Sequence, residues 1–293
     1  MAANPIDSIL PKPASGNLLA SADPLRDGDG NLVPFSTWKN GLTGRNIGCM
    51  RATTEELWCA DPDRDVYSPD ETPINEFLPL KTNLPHGCKG FIDDEGRWRV
   101  EVDAALKARV SYGAARELWT GAKTGGQSFQ SAANTTLSTS ESGSLNPMAA
   151  IGAALADYSA CTQGAQAWIH VPVVLAPYLH TRGFYTRSGD RLVTPEDHIV
   201  VVDAGYPSSA GAWGPYSDDE DTATGAVSDP GQVFIYVTGA VEAPDPEYLA
   251  PDTAKEQRHS RMNEFLVTAR AATIARFDTC CVFAAAVNVP TED

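Results

Sequence analysis

The stretch from Asn146 to Tyr206 limits the fold more than any other part of the chain. It opens on the alanine-rich run PMAAIGAALADYSACT, where Ile151, Leu155 and Tyr158 recur at the spacing of one helical face. Asn146 can cap that helix with Pro147 at its first position, and Gln163-Gly164 stops it. AWIHV, Ala167 to Val171, is a short apolar run that suits a buried strand. Pro172 ends it and starts a second helix, VVLAPYLHTRG, with Gly183 as its C-terminal cap. After a turn at Ser188-Gly189-Asp190, HIVVVDAGYP reads as another buried strand. Helix, strand, helix, turn and strand make a compact α+β unit. It carries no phosphate-cradling glycine loop and no catalytic motif.

The flanking segments differ in character. Residues 1–40 are rich in Pro, Gly, Asp, Asn and Ser, yet hold Ile9, Leu10, Leu18, Leu19, Leu32, Val33, Phe35 and Trp38. A solvated tail rarely carries so many apolar residues. The segment reads as a disordered tail or, as these residues favour, an extended arm that orders only on a neighbouring subunit. INEFLPLKT, Ile74 to Thr82, reads as a strand. From Asp93 to Trp119 the residues Trp98, Val102, Leu106, Val110, Ala114 and Leu118 recur every four, a stripe that drifts slowly around a long helix lying on a sheet. Arg97, Arg99, Lys107, Arg109 and Arg116 make its other faces basic. They either pair with Glu101, Asp103 and Glu117 on the same helix or meet acidic neighbours in an assembly.

Thr120 to Leu145 is a connector rich in Gly, Ser and Thr. Its GAKTGG resembles a phosphate loop only superficially, because the Lys precedes the glycine pair and a helix precedes the loop. The loop after Tyr206 runs to about residue 230, too long for an ordinary connection. It holds Trp213, Tyr216 and the acidic run Asp218 to Asp221, without the spacing of a calcium loop. QVFIYVTGAV, Gln232 to Val241, is a strong strand. NEFLVTARAATIARFDTCCVFAAAVNV reads as two strands joined near Phe277-Asp278-Thr279.

Charge bounds the function. With 22 Lys+Arg against 38 Asp+Glu the net charge is −16, which argues against a nucleic-acid binder whose affinity rests on cations. It leaves room for a protein that surrounds nucleic acid without gripping it. The N-terminus lacks the pattern of a signal peptide, and no apolar run is long enough to span a membrane. The six cysteines then suit a reducing compartment and free thiols. Cys49, Cys59, His86 and Cys88 lack zinc-ligand spacing, and the adjacent Cys280 and Cys281 point to opposite faces of a strand. No metal or cofactor is expected. Of the five histidines, His170 reads as a core residue. Asp197-His198 could be half of a hydrolase triad with a serine that nothing identifies, so no enzyme is expected.

AAIGAALADY, AWIHVPVVLAPYLHTRG, RLVTPEDHIVVVDAGYP, VFIYVTGAV, the closing NEFLVTARAATIARFDTCCVFAAAV and the earlier RVEVDAALKARVSYGAARELWTG together resemble the major capsid proteins of tailed phages infecting actinobacteria. The resemblance covers about residues 38–290. It implies an α+β chain of the Hong Kong 97 capsid fold, with an N-terminal arm (1–45), an extended loop with flanking strands (46–90), a spine helix and connector of a peripheral domain (91–145), an axial domain (146–257) and C-terminal strands returning to the peripheral domain (258–293). It implies a virion subunit assembled in the host cytoplasm as pentamers and hexamers around double-stranded DNA, with scaffolding, decoration and portal proteins as further partners and no membrane. Trp38 of the arm and Trp213 and Tyr216 of the 207–230 loop are the expected inter-subunit contacts. A minor head or connector protein, an encapsulin-like shell protein and a hydrolase built on His198 are the alternatives.

Overall fold

The structure, a computed structural model, describes residues 12–45, 74–89, 95–130, 135–138, 145–208, 231–249 and 264–290. Its centre is a seven-stranded mixed sheet in the order β5 (Thr135–Leu137), β15 (Val282–Asn288), β10 (Gln232–Thr238), β6 (Trp168–Pro172), β9 (Ile199–Asp203), β8 (Arg191–Val193) and β7 (Thr186–Ser188). β6 and β9 run parallel in the register Trp168↔Ile199, β5 runs parallel to β15, and the other pairs are antiparallel.

Side chains alternate across this sheet, and both faces are covered. Val233, Ile235 and Val237 of β10 point to one side with Ile169, Val171, Val200, Ala285 and Val287. Phe234 and Tyr236 point to the other with Trp168, Ile199, Val201, Val282 and Ala284. The period of two sorts residues between two apolar layers rather than between core and water, so the strands read as continuous apolar runs.

The first layer is α4 (Pro147–Thr162) with α5 (Ala176–Thr181). The side chain of Asn146 accepts the Ala149 N–H, Pro147 occupies the first turn, and Gln163 ends α4 in the left-handed conformation at φ 56°. Ile151 and Tyr158 of the expected stripe are buried, and Leu155 packs at its margin. After Pro172 the chain makes a 3-10 turn, Val173–Leu175, before α5 begins, and Gly183 follows at φ 66°.

The second layer is the C-terminal half of α3 (Glu95–Thr120), which at 26 residues is about 39 Å long. Ala114, Ala115, Leu118 and Trp119 meet the large sheet. Val102, Leu106 and Val110 pack with Ala269 and Ala271 of a second sheet. That sheet has the order β12 (Glu247–Leu249), β13 (Glu264–Thr273) and β4 (Leu80–Lys89), with β13 and β4 in register from Glu264↔Lys89 to Thr273↔Leu80. The four-residue stripe is thus buried from Val102 to Leu118, and its drift turns the helix from one sheet to the other. The side chain of Trp98 lies outside those described.

Several expectations need correction. The strand expected over 74–82 is two, β3 (Ile74–Phe77) and β4, separated by Leu78-Pro79. The connector after α3 contributes β5 to an edge of the large sheet. The C-terminal segment forms three strands in three sheets: β13, β14 (Arg276–Phe277) beside β11 (Val241–Ala243), and β15. Its last strand sits inside the large sheet, between β5 and β10.

The N-terminal segment differs most. Residues 12–45 do not await a neighbour. α1 (Leu18–Ser21) lies against α3 and β9, β1 (Asp23–Pro24) pairs in parallel with β11, and α2 (Phe35–Trp38) follows. β2 (Leu42–Arg45) pairs with β3. Leu18, Leu25 and Trp38 are at most 1% exposed. Trp38, expected at a subunit contact, is sealed in the chain's own core with the Phe35 ring edge-on at 4.7 Å. Leu18, Leu19, Val33, Phe35 and Trp38 are anchors, as the sequence suggested, but to this chain's own core, whereas Leu32 is exposed.

Candidate functional site

Polar groups converge where β9 ends. Asp203 is 3% exposed. Its Oδ2 accepts the Leu18 N–H at 3.0 Å and the Ser111 hydroxyl at 2.8 Å, and its Oδ1 accepts the Gly205 N–H at 2.8 Å. One carboxylate thereby joins α1, the middle of α3 and the turn after β9. The Ser111 hydroxyl oxygen also accepts the Leu19 N–H at 3.3 Å. The turn needs glycine, because a Cβ on Gly205 would lie 2.4 Å from the Tyr112 carbonyl oxygen and 2.9 Å from Ala115.

Beside it, the Tyr206 hydroxyl meets His170 Nδ1 at 2.8 Å, and His170 Nε2 meets Thr238 Oγ1 at 3.0 Å. Thr238 donates its own hydroxyl proton to the Gly239 carbonyl at 2.9 Å. Its oxygen can then only accept from His170, so the proton sits on Nε2 and Tyr206 donates to Nδ1. Burial pushes the His170 pKa down from 6.5 to about 3, so the ring is neutral. Burial, then the nearby Asp203 charge, push the Tyr206 hydroxyl well above its ordinary range. The Trp119, Phe129 and Tyr236 rings close over the pair, with the Phe129 centroid 4.5 Å from that of the imidazole. A fully enclosed neutral imidazole with both nitrogens engaged cannot take a proton from a substrate. This cluster fastens segments together.

His198 is no better placed for catalysis. Its Nδ1 accepts the Ala167 N–H at 3.2 Å. A triad histidine must donate from that nitrogen to a carboxylate. Asp197 turns the chain at φ 71° and offers its backbone carbonyl to the Gln166 amide. The GAKTGG loop holds the chain's own carboxylate rather than a phosphate: Glu117 accepts the Lys123 N–H, and the Thr124 N–H and hydroxyl at 2.7 and 2.8 Å. A cavity beside it, between Phe77, Leu80, Leu118 and Ile274, has about 20 Å³, room for one water. Among the described residues no cluster of His, Cys, Asp and Glu could hold a metal. No described helix is long and apolar enough to cross a membrane.

The cysteines depart from expectation. Cys161, in the last turn of α4, and Cys281, just before β15, form a disulfide with Cα atoms 6.1 Å apart. Cys280 is disulfide-bonded as well. Free thiols were expected on opposite faces of a strand, but Cys280 and Cys281 lie in a bend before β15 and pack with the same apolar layer.

Trp213, Tyr216 and the run Asp218 to Asp221 fall outside the described residues. The exposed apolar side chains that are described include Val100 and Tyr112 on α3, Met148 on α4, Val173 and Val174 after β6, and Tyr248 on β12.

No family model matches the chain, and no curated protein sequence matches it. Solved structures do. The chain is similar to the capsid of the native GTA particle, with a TM-score of 0.52 and 10% identity over 98% of this chain and 94% of that one. It is similar to a chain of Mycobacterium phage Bobi, with a TM-score of 0.52 and 10% identity over 100% and 95%. A chain of Microbacterium phage Oxtober96 gives 0.52 and 11% over 98% and 96%. At such identity the likeness is one of fold: the chain has the α+β capsid fold over nearly its whole length.

Proposed function

We propose that the chain is the structural subunit of an icosahedral phage-type capsid, assembling into pentamers and hexamers around double-stranded DNA. One observation carries this reading. The shared fold spans nearly all of this chain and of its structural neighbours, among them the capsid of a GTA particle. His198, the residue on which the hydrolase alternative rested, supports it, since its Nδ1 is committed to the Ala167 backbone. The net charge of −16 suits a wall along which packaged DNA slides. In this reading the subunit resides in the virion after assembly in the host cytoplasm, with scaffolding, decoration and portal proteins as its further partners. Trp213 and Tyr216 lie where several subunits converge.

The test is to purify the chain and image it by negative-stain electron microscopy. Shells or ring-shaped capsomers are expected. A small particle of single-subunit mass at all concentrations would refute the proposal. Replacing Trp213 and Tyr216 with Ser should weaken capsomers while leaving the circular dichroism of the subunit unchanged.

A further inference from the structure

The long helix carries a positive stripe that the described residues leave exposed. Arg109, Tyr112 and Arg116 are exposed, Tyr112 to 46%. At about 100° per residue they lie within about 60° of one another, turned away from Val110, Ala114 and Leu118, and the two arginines are about 10.5 Å apart along the axis. Several other described cations are in use. Arg191 pairs with Asp23 at 2.7 Å, the Arg276 Nε–H donates to Glu242 at 2.7 Å, and Lys107 lies 5.3 Å over the Tyr248 ring. The ion pairs among the described residues do not include Arg109 or Arg116. Arg109 donates only to the Ala105 carbonyl of its own helix, at 3.3 Å. Glu117, next to Arg116 in sequence, is held by the Lys123–Thr124 backbone and turned from the stripe.

Copies that each carry −16 repel one another. Association is favoured where local positive charge meets the acidic excess. We propose that the Arg109–Tyr112–Arg116 stripe docks the acidic surface of a second copy of this chain. Guanidinium groups bind carboxylates in bidentate fashion, and an exposed tyrosine between them adds rigid contact area at low entropic cost. The inference rests on the reading of the chain as a shell subunit. DNA phosphate is the other ligand with matching charge. The second copy is favoured because two arginines on an otherwise acidic chain neutralise few phosphates, whereas duplex affinity rests on many such contacts.

The experiment compares wild type, R109E/R116E, R109A/R116A and R109K/R116K as full chains, by sedimentation and electron microscopy over a range of concentration and salt. The reversed pair should need at least tenfold more protein to reach the wild-type assembled fraction, with an unchanged melting temperature. The lysine pair should fall between, and only variants with cations at both positions should lose assembly as salt rises. If the reversed pair melts early, the alanine pair is read in its place with the same expectation. Wild-type shells together with unchanged variant shells overturn the stripe alone. A wild type that stays a single subunit overturns both the stripe and the proposed function. Binding of a short DNA duplex that is lost on reversal while shells form normally assigns the stripe to DNA and overturns the proposal.

Discussion

Asp203 and His170 do work that no local pattern announces. HIVVVDAGYP is recognisable as a strand, but the partners of its aspartate lie 92 and 185 residues away, at Ser111 and Leu18. His170 is legible as a core histidine, because it sits in a short apolar run. Its partners Tyr206 and Thr238 are 36 and 68 residues away and emerge only when β9 and β10 flank β6. The histidine gives the fold a pH response. Its folded pKa is depressed to about 3 from 6.5, so the unfolded chain binds the proton first. Its contribution is complete above about pH 6.5 and should decline by up to about 1.4 kcal/mol per unit as pH falls toward 3. Urea midpoints at several pH values for wild type and His170→Gln should show a shallower acid decline in the variant. Parallel profiles would mean that the imidazole reaches water.

Among elements, α3 and α4 were the most legible, because period and caps are local properties. The four-residue stripe and the Asn146-Pro147 start are both found. Leu106 is 1% exposed between α3 and the β13–β4 sheet, so Leu106→Ala should cost about 2–5 kcal/mol in urea unfolding. A loss below about 1 kcal/mol would show that the site collapses around the smaller side chain. The disulfide was not legible. The cysteine count suggested a reducing setting, and Cys161 and Cys281 are 120 residues apart. The bond ties the end of α4 to the start of β15 and closes a long loop. Reducing it, or changing Cys161→Ser, should lower stability by about 2–4 kcal/mol. Equal melting with and without reductant would show that the constraint is already supplied by packing.

At the scale of the whole molecule, the α+β class and the long helix over a sheet were readable, and the placement of the N-terminal segment was not. Composition marks residues 12–45 as lacking a fold of their own. It does not say whether the surface that orders them belongs to this copy or to another. Leu18 and Leu25 are each at most 1% exposed in this copy. Deleting residues 1–25 should therefore destabilise the subunit itself, by about 3–6 kcal/mol from those two side chains. Calorimetry of the truncated subunit under non-assembling conditions measures this. An unchanged melting temperature would return the segment to the role of an arm for neighbours.

The position of β15 sets a schedule for synthesis. The last strand of the large sheet in chain order sits inside it, between β5 and β10. Until residue 288 has left the ribosome, β10 presents a bare edge and β5 has no partner. From the end of β10 at Thr238 to the end of β15 at Asn288 is 50 residues (288 − 238). At about 5–20 residues per second these take about 3–10 s to make. During that interval an edge of alternating Val, Phe, Ile and Tyr is open to pairing with another nascent chain. A protein made in many copies at once would then meet its own kind first through an unfinished sheet. Its yield should depend on translation speed and chaperone supply as much as on the stability of the finished subunit.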